Sequence, residues 1–270
     1  MRDSNNSHSN RFLAALMAAA DGDLHSHLEL VPLKFNDVLY ESERGICHAY
    51  FPTTSIVSMV YMLEDGATDE IAAVGNEGII GVPLFMGGEM SPSRAVVRCA
   101  GHAFRLRGQL LLDEFNGSTE VQNLLLRYIQ SLLAQISQTA ACNRHHSIHQ
   151  QLCRWLLSSV DRLPSNELKI THESIASMLG VRRESISKET GELQTAGLIH
   201  NGRGCITVVD RRKLEDRACE CYRAIRTQCE RLLMTAAPSY ALNSRTVRRH
   251  APIPRTVVRP HLGAMSALSI

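Results

Sequence analysis

Between Gly180 and Leu193 the chain reads Val181-Arg182-Arg183-Glu184-Ser185-Ile186-Ser187-Lys188, a set of residue types suited to reading nucleic-acid bases. An arginine can fork onto the O6 and N7 of guanine, and a glutamate can accept from the N4 amine of cytosine. Ser185, Ser187 and Lys188 can reach bases or phosphates, and Arg182 opens the set with a second cation. Downstream, Arg203 and the run Arg211-Arg212-Lys213 could hold phosphates. The competing reading is a solvated, charged helix face of no special use. What separates the two is whether the surrounding residues build an element that can enter a major groove, about 12 Å wide.

A second constellation is Cys142, His146, His149 and Cys153. The offsets of four, three and four would bring all four to one face of a continuous helix. Cysteine and neutral histidine are ligands for zinc and other borderline or soft metals, so a metal- or redox-responsive role is one reading. Histidines hydrogen-bonding at a dimer interface are the other. No resident metal or cofactor is expected. Cys219, Cys221 and Cys229 add little, because positions 219 and 221 of a helix do not face each other.

The elements around the octet decide its use. Thr171 can cap a helix that buries Ile175, Ala176 and Leu179. Gly180 permits a sharp turn, Val181 plugs the angle, and a second helix from about Arg183 buries Ile186 and Leu193. Leu198-Ile199 and Ile206–Val208 flank a tight hairpin favoured by Asn201-Gly202 and Arg203-Gly204. Helix, glycine turn, helix and β-hairpin make a winged helix-turn-helix.

Upstream, residues from about Leu28 to Leu106 form short runs rich in Val, Ile and Tyr, including Cys47–Phe51, Ile56–Met62, Glu70–Val74 and Arg94–Arg98, with turn signals between them. That pattern predicts a sandwich or barrel. From Ser118 to Leu163 there is neither Gly nor Pro. Leu125, Ile129, Leu132 and Ile136 give a helix with one apolar seam, roughly 42 Å long for about 28 residues. So long a seam predicts pairing with a second copy, against the alternative that it packs on its own β-domain. Ser147 with Gln150 is a capping-box pattern, so the helix breaks near Arg144 and a second runs from Ile148 to about Asp161, burying Leu152, Trp155 and Leu156. The break is a candidate hinge.

The expected organisation is an N-terminal segment with a short helix (1–23), a jelly-roll sensor domain (24–117), a dimerisation helix and hinge (118–146), a winged helix-turn-helix domain (147–234) and a disordered basic tail (235–270). The fold class is α+β. The stretch Ile170–Val209, with the octet at its centre, resembles the DNA-binding domain of the Crp/Fnr transcriptional regulators, whose recognition helix carries an Arg-Glu-Thr/Ser-Val/Ile-Ser/Gly-Arg pattern. That likeness implies guanine reading by Arg183 and cytosine reading by Glu184. Lys188 stands where arginine is usual and lacks its bidentate fork, and Arg182 replaces a small capping residue. The resemblance covers about Leu24 to Arg217. It implies a cyclic-nucleotide-binding-like jelly roll, a homodimer through the 118–146 helix, double-stranded DNA as partner and RNA polymerase as a further one, in bacterial cytoplasm.

The same resemblance narrows the effector. Members that bind cyclic AMP carry Gly-Glu-Leu and then Arg-Ser-Ala. Here the residues are Gly81-Val82-Pro83-Leu84, then Arg94-Ala95. Val82 cannot accept from a ribose hydroxyl, and a buried unpaired hydroxyl costs about 1–3 kcal/mol. Cyclic AMP does not fit. Arg94 is left as a candidate for some other anionic effector, or as the partner of a structural acid. The iron–sulfur members use cysteines near the N-terminus, and this chain has none before Cys47.

Composition bounds the remainder. With 44% hydrophobic and 21% charged residues and a net charge of +2, the chain is an ordinary globular protein, so DNA binding must rest on where charge sits. No apolar run approaches a membrane span. The run Phe12–Ala20 is short, and its spacing suits an amphipathic helix better than an export signal. The eight cysteines show no CxxC pair and predict reduced thiols in the cytoplasm. No P-loop, dinucleotide fingerprint, HExxH or nucleophile elbow is present, so no enzymatic activity is expected.

Overall fold

Alternating apolar residues between Glu29 and Arg107 give seven antiparallel strands in two sheets. They are β1 (Glu29–Leu33), β2 (Val38–Tyr40), β3 (His48–Pro52), β4 (Ile56–Met62), β5 (Thr68–Val74), β6 (Arg94–Cys99) and β7 (Gly101–Arg107). One sheet has the order β1-β7-β3, the other β2-β6-β4-β5. Leu33 and Ala103 from the first sheet meet Val57, Val74, Ala95 and Val97 from the second in a shared core. The structure, a computed structural model, describes residues 9–20, 22–64, 66, 68–88 and 90–234. The tail from 235 to 270, expected to be disordered and basic, lies outside the described residues.

Helix α1 (Arg11–Ala19) closes the sandwich from outside, with Phe12, Leu13 and Leu16 wholly buried. Asn10 anchors it. Its Oδ1 accepts from Leu13 N at 2.7 Å as an N-cap, and its Nδ2 donates to Pro52 O at 2.7 Å and Gly78 O at 2.9 Å. A buried amide satisfied on both ends fixes where the helix begins.

Helices α2 (Gly108–Gly117) and α3 (Thr119–His145) follow, the latter capped by Ser118. The seam of α3 is used differently from the pairing expected of it. Leu125 and Leu132 are buried in this chain's own core with Phe12, Leu16 and Phe51, and Ile129 and Ile136 are half-buried against it. Leu126 and Leu133, seven residues apart, are left 49% and 57% exposed. A helical period shows that a helix has an apolar side, but not which body covers it.

Helix α4 (Ile148–Val160) starts at Ser147 with both halves of a capping box formed. It leads into β8 (Glu167–Leu168), α5 (His172–Leu179), α6 (Arg183–Thr195), β9 (Ile199–Gly202), β10 (Cys205–Val208), α7 (Arg211–Arg217) and α8 (Glu220–Met234). Leu152, Leu156, Ile175, Ile186, Leu193 and Ile206 are fully buried at their centre. Ile56, Ala73 and Cys99 of the β-sandwich join the same apolar cluster. A buried ion pair also crosses between the two halves: Arg162 Nε lies 2.7 Å from Glu77 Oε1. Gly75 makes room for it, since a Cβ there would sit 2.5 Å from Arg162 Cβ.

Candidate nucleic-acid interface

Thr171 caps α5 by accepting from Ser174 N at 3.2 Å. Gly180 ends that helix in the left-handed conformation, φ 62° and ψ 33°. Val181 is half-buried against the central cluster, and α6 then sets off with Ile186 and Leu193 wholly buried. A Cβ at 180 would lie 2.7 Å from Asp69 Oδ1 in β5. Gly180→Ala is therefore expected to cost about 1–2 kcal/mol for the left-handed backbone. Moving Asp69 adds to that, so in an Asp69→Ala background the loss should shrink without vanishing. Urea unfolding of the two pairs measures both parts.

With Ile186 and Leu193 buried, the rest of the first two turns of α6 faces solvent. Arg182, Arg183, Glu184, Ser187 and Lys188 are exposed, and Ser185 is half-buried. Arg182 gives no side-chain cap to the helix. Lys188 Nζ stands 3.9 Å from Glu192 Oε1 in a loose, solvated pair, worth a few tenths of a kcal/mol at most. Among the described residues, no side chain pairs with Arg183.

The wing lies beside this face. β10 pairs with β9 from Cys205↔Gly202 to Val208↔Ile199, leaving Arg203-Gly204 as the turn, with Arg203 exposed. A residue the sequence reading did not single out joins the wing to α6. His172 Nδ1 lies 3.1 Å from Ser187 Oγ, and its Nε2 lies 3.1 Å from Asn201 Oδ1 and 3.3 Å from Thr190 Oγ1. One imidazole thus holds the first turn of α5, the outer face of α6 and the wing in a fixed relation. Nothing local marks it, because Asn201 is 29 residues away.

The flanking cations divide. Arg211 is half-exposed and paired within the chain, 2.6 Å from Asp161, 2.9 Å from Glu215 and 2.5 Å from the Tyr222 hydroxyl. A phosphate at Arg211 would have to compete with these two carboxylates. Lys213 pairs with Asp210 at 2.9 Å, and Arg212 is exposed. In the β-sandwich, Arg94 lies 3.4 Å from Glu41, so an anion at that site must compete with a carboxylate.

The proposed metal set Cys142, His146, His149 and Cys153 does not come together. His146 is extended, φ −105° and ψ 152°, and that breaks the helical phase on which the offsets depended. His149 instead meets Glu189 of α6 at 2.7 Å. Cys153 is wholly buried among apolar side chains, and burial pushes its thiol up to about 12. Cys142 and His146 stay close to each other and meet two cysteines from further on, Cys219 and Cys221.

Comparison with known proteins agrees with this geometry. Residues 150–217 match the family model of the Crp-like helix-turn-helix domain. No curated protein sequence matches the chain. Among solved structures, FixK2 of Bradyrhizobium japonicum is similar, with a TM-score of 0.62 and 16% identity over 71% of this chain and 98% of that one. A CRP-family transcriptional regulator of Thermus thermophilus gives 0.59 and 19% over 70% and 96%. A CRP/FNR-family regulator of the same organism gives 0.57 and 25% over 70% and 98%. The chain carries a Crp-like helix-turn-helix domain behind an N-terminal β-sandwich, the fold of the Crp/Fnr regulators. Among the described residues no helix is long and apolar enough to cross a membrane.

Proposed function

We propose that the chain is a sequence-specific DNA-binding transcriptional regulator of the Crp/Fnr type, acting in the cytoplasm as a homodimer on a near-palindromic operator. One observation carries this reading. Helix α6 buries Ile186, Thr190 and Leu193, and presents Arg183, Glu184, Ser187 and Lys188 to solvent beside the Arg203 wing. An element of that shape and charge fits a major groove, with its N-terminal turns at the base edges. Arg182 and Arg203 supply phosphate contacts, and Ser185 contacts a base or a phosphate.

Leu126 and Leu133 support the dimer, since two large apolar side chains one heptad apart on an exposed helix face suit a second copy of α3. RNA polymerase is the further partner on this reading. The effector is a small molecule other than cyclic AMP, because Val82 stands where a ribose-binding acid would be needed. No catalytic role is assigned.

Selection of bound fragments from a genomic library tests the proposal. The expected product is one consensus whose half-site centres lie about 34 Å apart, one helical turn. Binding should also weaken steeply with salt, because phosphate contacts release counterions. Recovery of unrelated fragments with equal affinity would reduce the chain to a nonspecific binder.

A further inference from the structure

We propose that Cys142, His146, Cys219 and Cys221 form a closed site for a zinc ion, with three thiolates and one imidazole as ligands. Their four ligand atoms all lie within 4.8 Å of one another. Cys142 Sγ is 3.5 Å from Cys219 Sγ, and Cys221 Sγ is 3.4 Å from His146 Nδ1. A tetrahedral ion with bonds of about 2.3 Å to sulfur and 2.0–2.1 Å to nitrogen separates its ligands by about 3.5–3.8 Å. Two edges of the tetrahedron are therefore already in place, and the others need only small side-chain rotations.

The surroundings match what such a site requires beyond its four ligands. His146 Nε2 lies 3.3 Å from Glu220 Oε1. That carboxylate holds the second ring nitrogen as a donor and leaves Nδ1 free to ligate, the usual support for a metal-bound histidine. Gln138 Nε2 donates to Cys221 Sγ at 3.1 Å. Binding Zn2+ would release the three thiol protons to solvent and leave a net charge of −1 on the centre. Arg154 stands ready to balance that charge. It is only 6% exposed, its Nε has no hydrogen-bond partner, and its charge reaches Cys142. All three cysteines are buried. Four protein ligands with no open position describe a structural ion rather than a catalytic one.

The chain assembles this set from two places. Cys142 and His146 are one turn apart at the end of α3. Cys219 lies in the connection after α7, and Cys221 in the first turn of α8. Because Cys219 is outside the helix, it and Cys221 can point at one centre although they are two residues apart. The ion would staple the end of α3, just before the hinge at Ser147, to the segment just after the winged domain. The site stands or falls on metal binding alone, whatever the chain does with DNA.

The test uses full-length protein, purified under a non-thiol reductant without chelator, and then the apo form titrated with Co2+ and Zn2+. The expected result is one zinc per chain, and one equivalent of cobalt showing the thiolate charge-transfer and ligand-field bands of a tetrahedral site with three sulfur ligands and one nitrogen. Zinc should displace that cobalt. Cys221→Ser should abolish the cobalt spectrum. Glu220→Gln, a change at an exposed side chain that spares folding, should weaken affinity about 10- to 100-fold. Cys47→Ser, outside the cluster, should change nothing. Zinc well below one equivalent with no tetrahedral cobalt spectrum would overturn the site. So would a spectrum that survives in Cys221→Ser, or a Cys142–Cys219 disulfide in the reduced preparation.

Discussion

Arg183→Ala will lose its discrimination at one base pair of each half-site, by about 1–3 kcal/mol, or roughly 5- to 150-fold. Its affinity for unrelated DNA will change far less. The expectation follows from how Arg183 is held. It sits at the first position of α6, exposed to solvent at the open end of the helix, and no described side chain neutralises its guanidinium. Arg211 shows the contrast: equally basic, but committed to Asp161, Glu215 and Tyr222. Arg203→Ala, at the wing turn, should weaken binding evenly across sequences and reduce the salt slope by about one. Competition binding against a panel of single-base operator variants separates the two patterns. If Arg183→Ala lost affinity evenly for every variant, Arg183 would be a phosphate contact, and base reading would have to come from Glu184, Ser187 or Lys188.

The winged domain was legible in the sequence because its signals are local. The spacing of Ile175, Ala176 and Leu179, the glycine at 180 and the Ser147/Gln150 box each act within about one helical turn, and each forms as local chemistry dictates. What could not be read depends on residues far apart in the chain. The α3 period was plain, but its cover was not, since Phe12 and Leu16 of α1 come from more than a hundred residues upstream. Only Cys142 and His146 of the expected metal set lie together, for the same reason. Cys142 and His146 are neighbours on a helix, whereas their partners lie 77 and 75 residues away. His149 and Cys153 were drawn in by a helical phase that stops at His146. Asn10 carries no signature of its own, because the three carbonyls near its amide, those of Pro52, Gly75 and Gly78, lie 42 to 68 residues on.

The larger loss of stability should come from Glu77. It is 7% exposed and Arg162 is 8% exposed, and Arg162 also donates to Ser158 O at 2.8 Å while Gly75 N donates to Glu77 Oε2 at 3.1 Å. Glu77→Leu would leave a buried guanidinium that cannot give up its proton, at a cost of about 3–5 kcal/mol. Since a domain is stable by only about 5–15 kcal/mol, that is a large share. Removing both charges, as Glu77→Leu with Arg162→Met, should restore most of it, because an apolar pair of similar volume avoids the desolvation penalty. The pair joins a loop of the β-sandwich to the end of α4, so its loss should also uncouple the two halves. Trp155, the only tryptophan, sits in the winged-domain core and reports that half by fluorescence, while far-ultraviolet circular dichroism reports both. In the wild type the two urea curves should coincide, and in Glu77→Leu they should separate. Coincident curves with a loss under about 1 kcal/mol would mean that water reaches Arg162 once Glu77 is gone. The apolar contacts of Ile56, Ala73 and Cys99 would then be what holds the halves together.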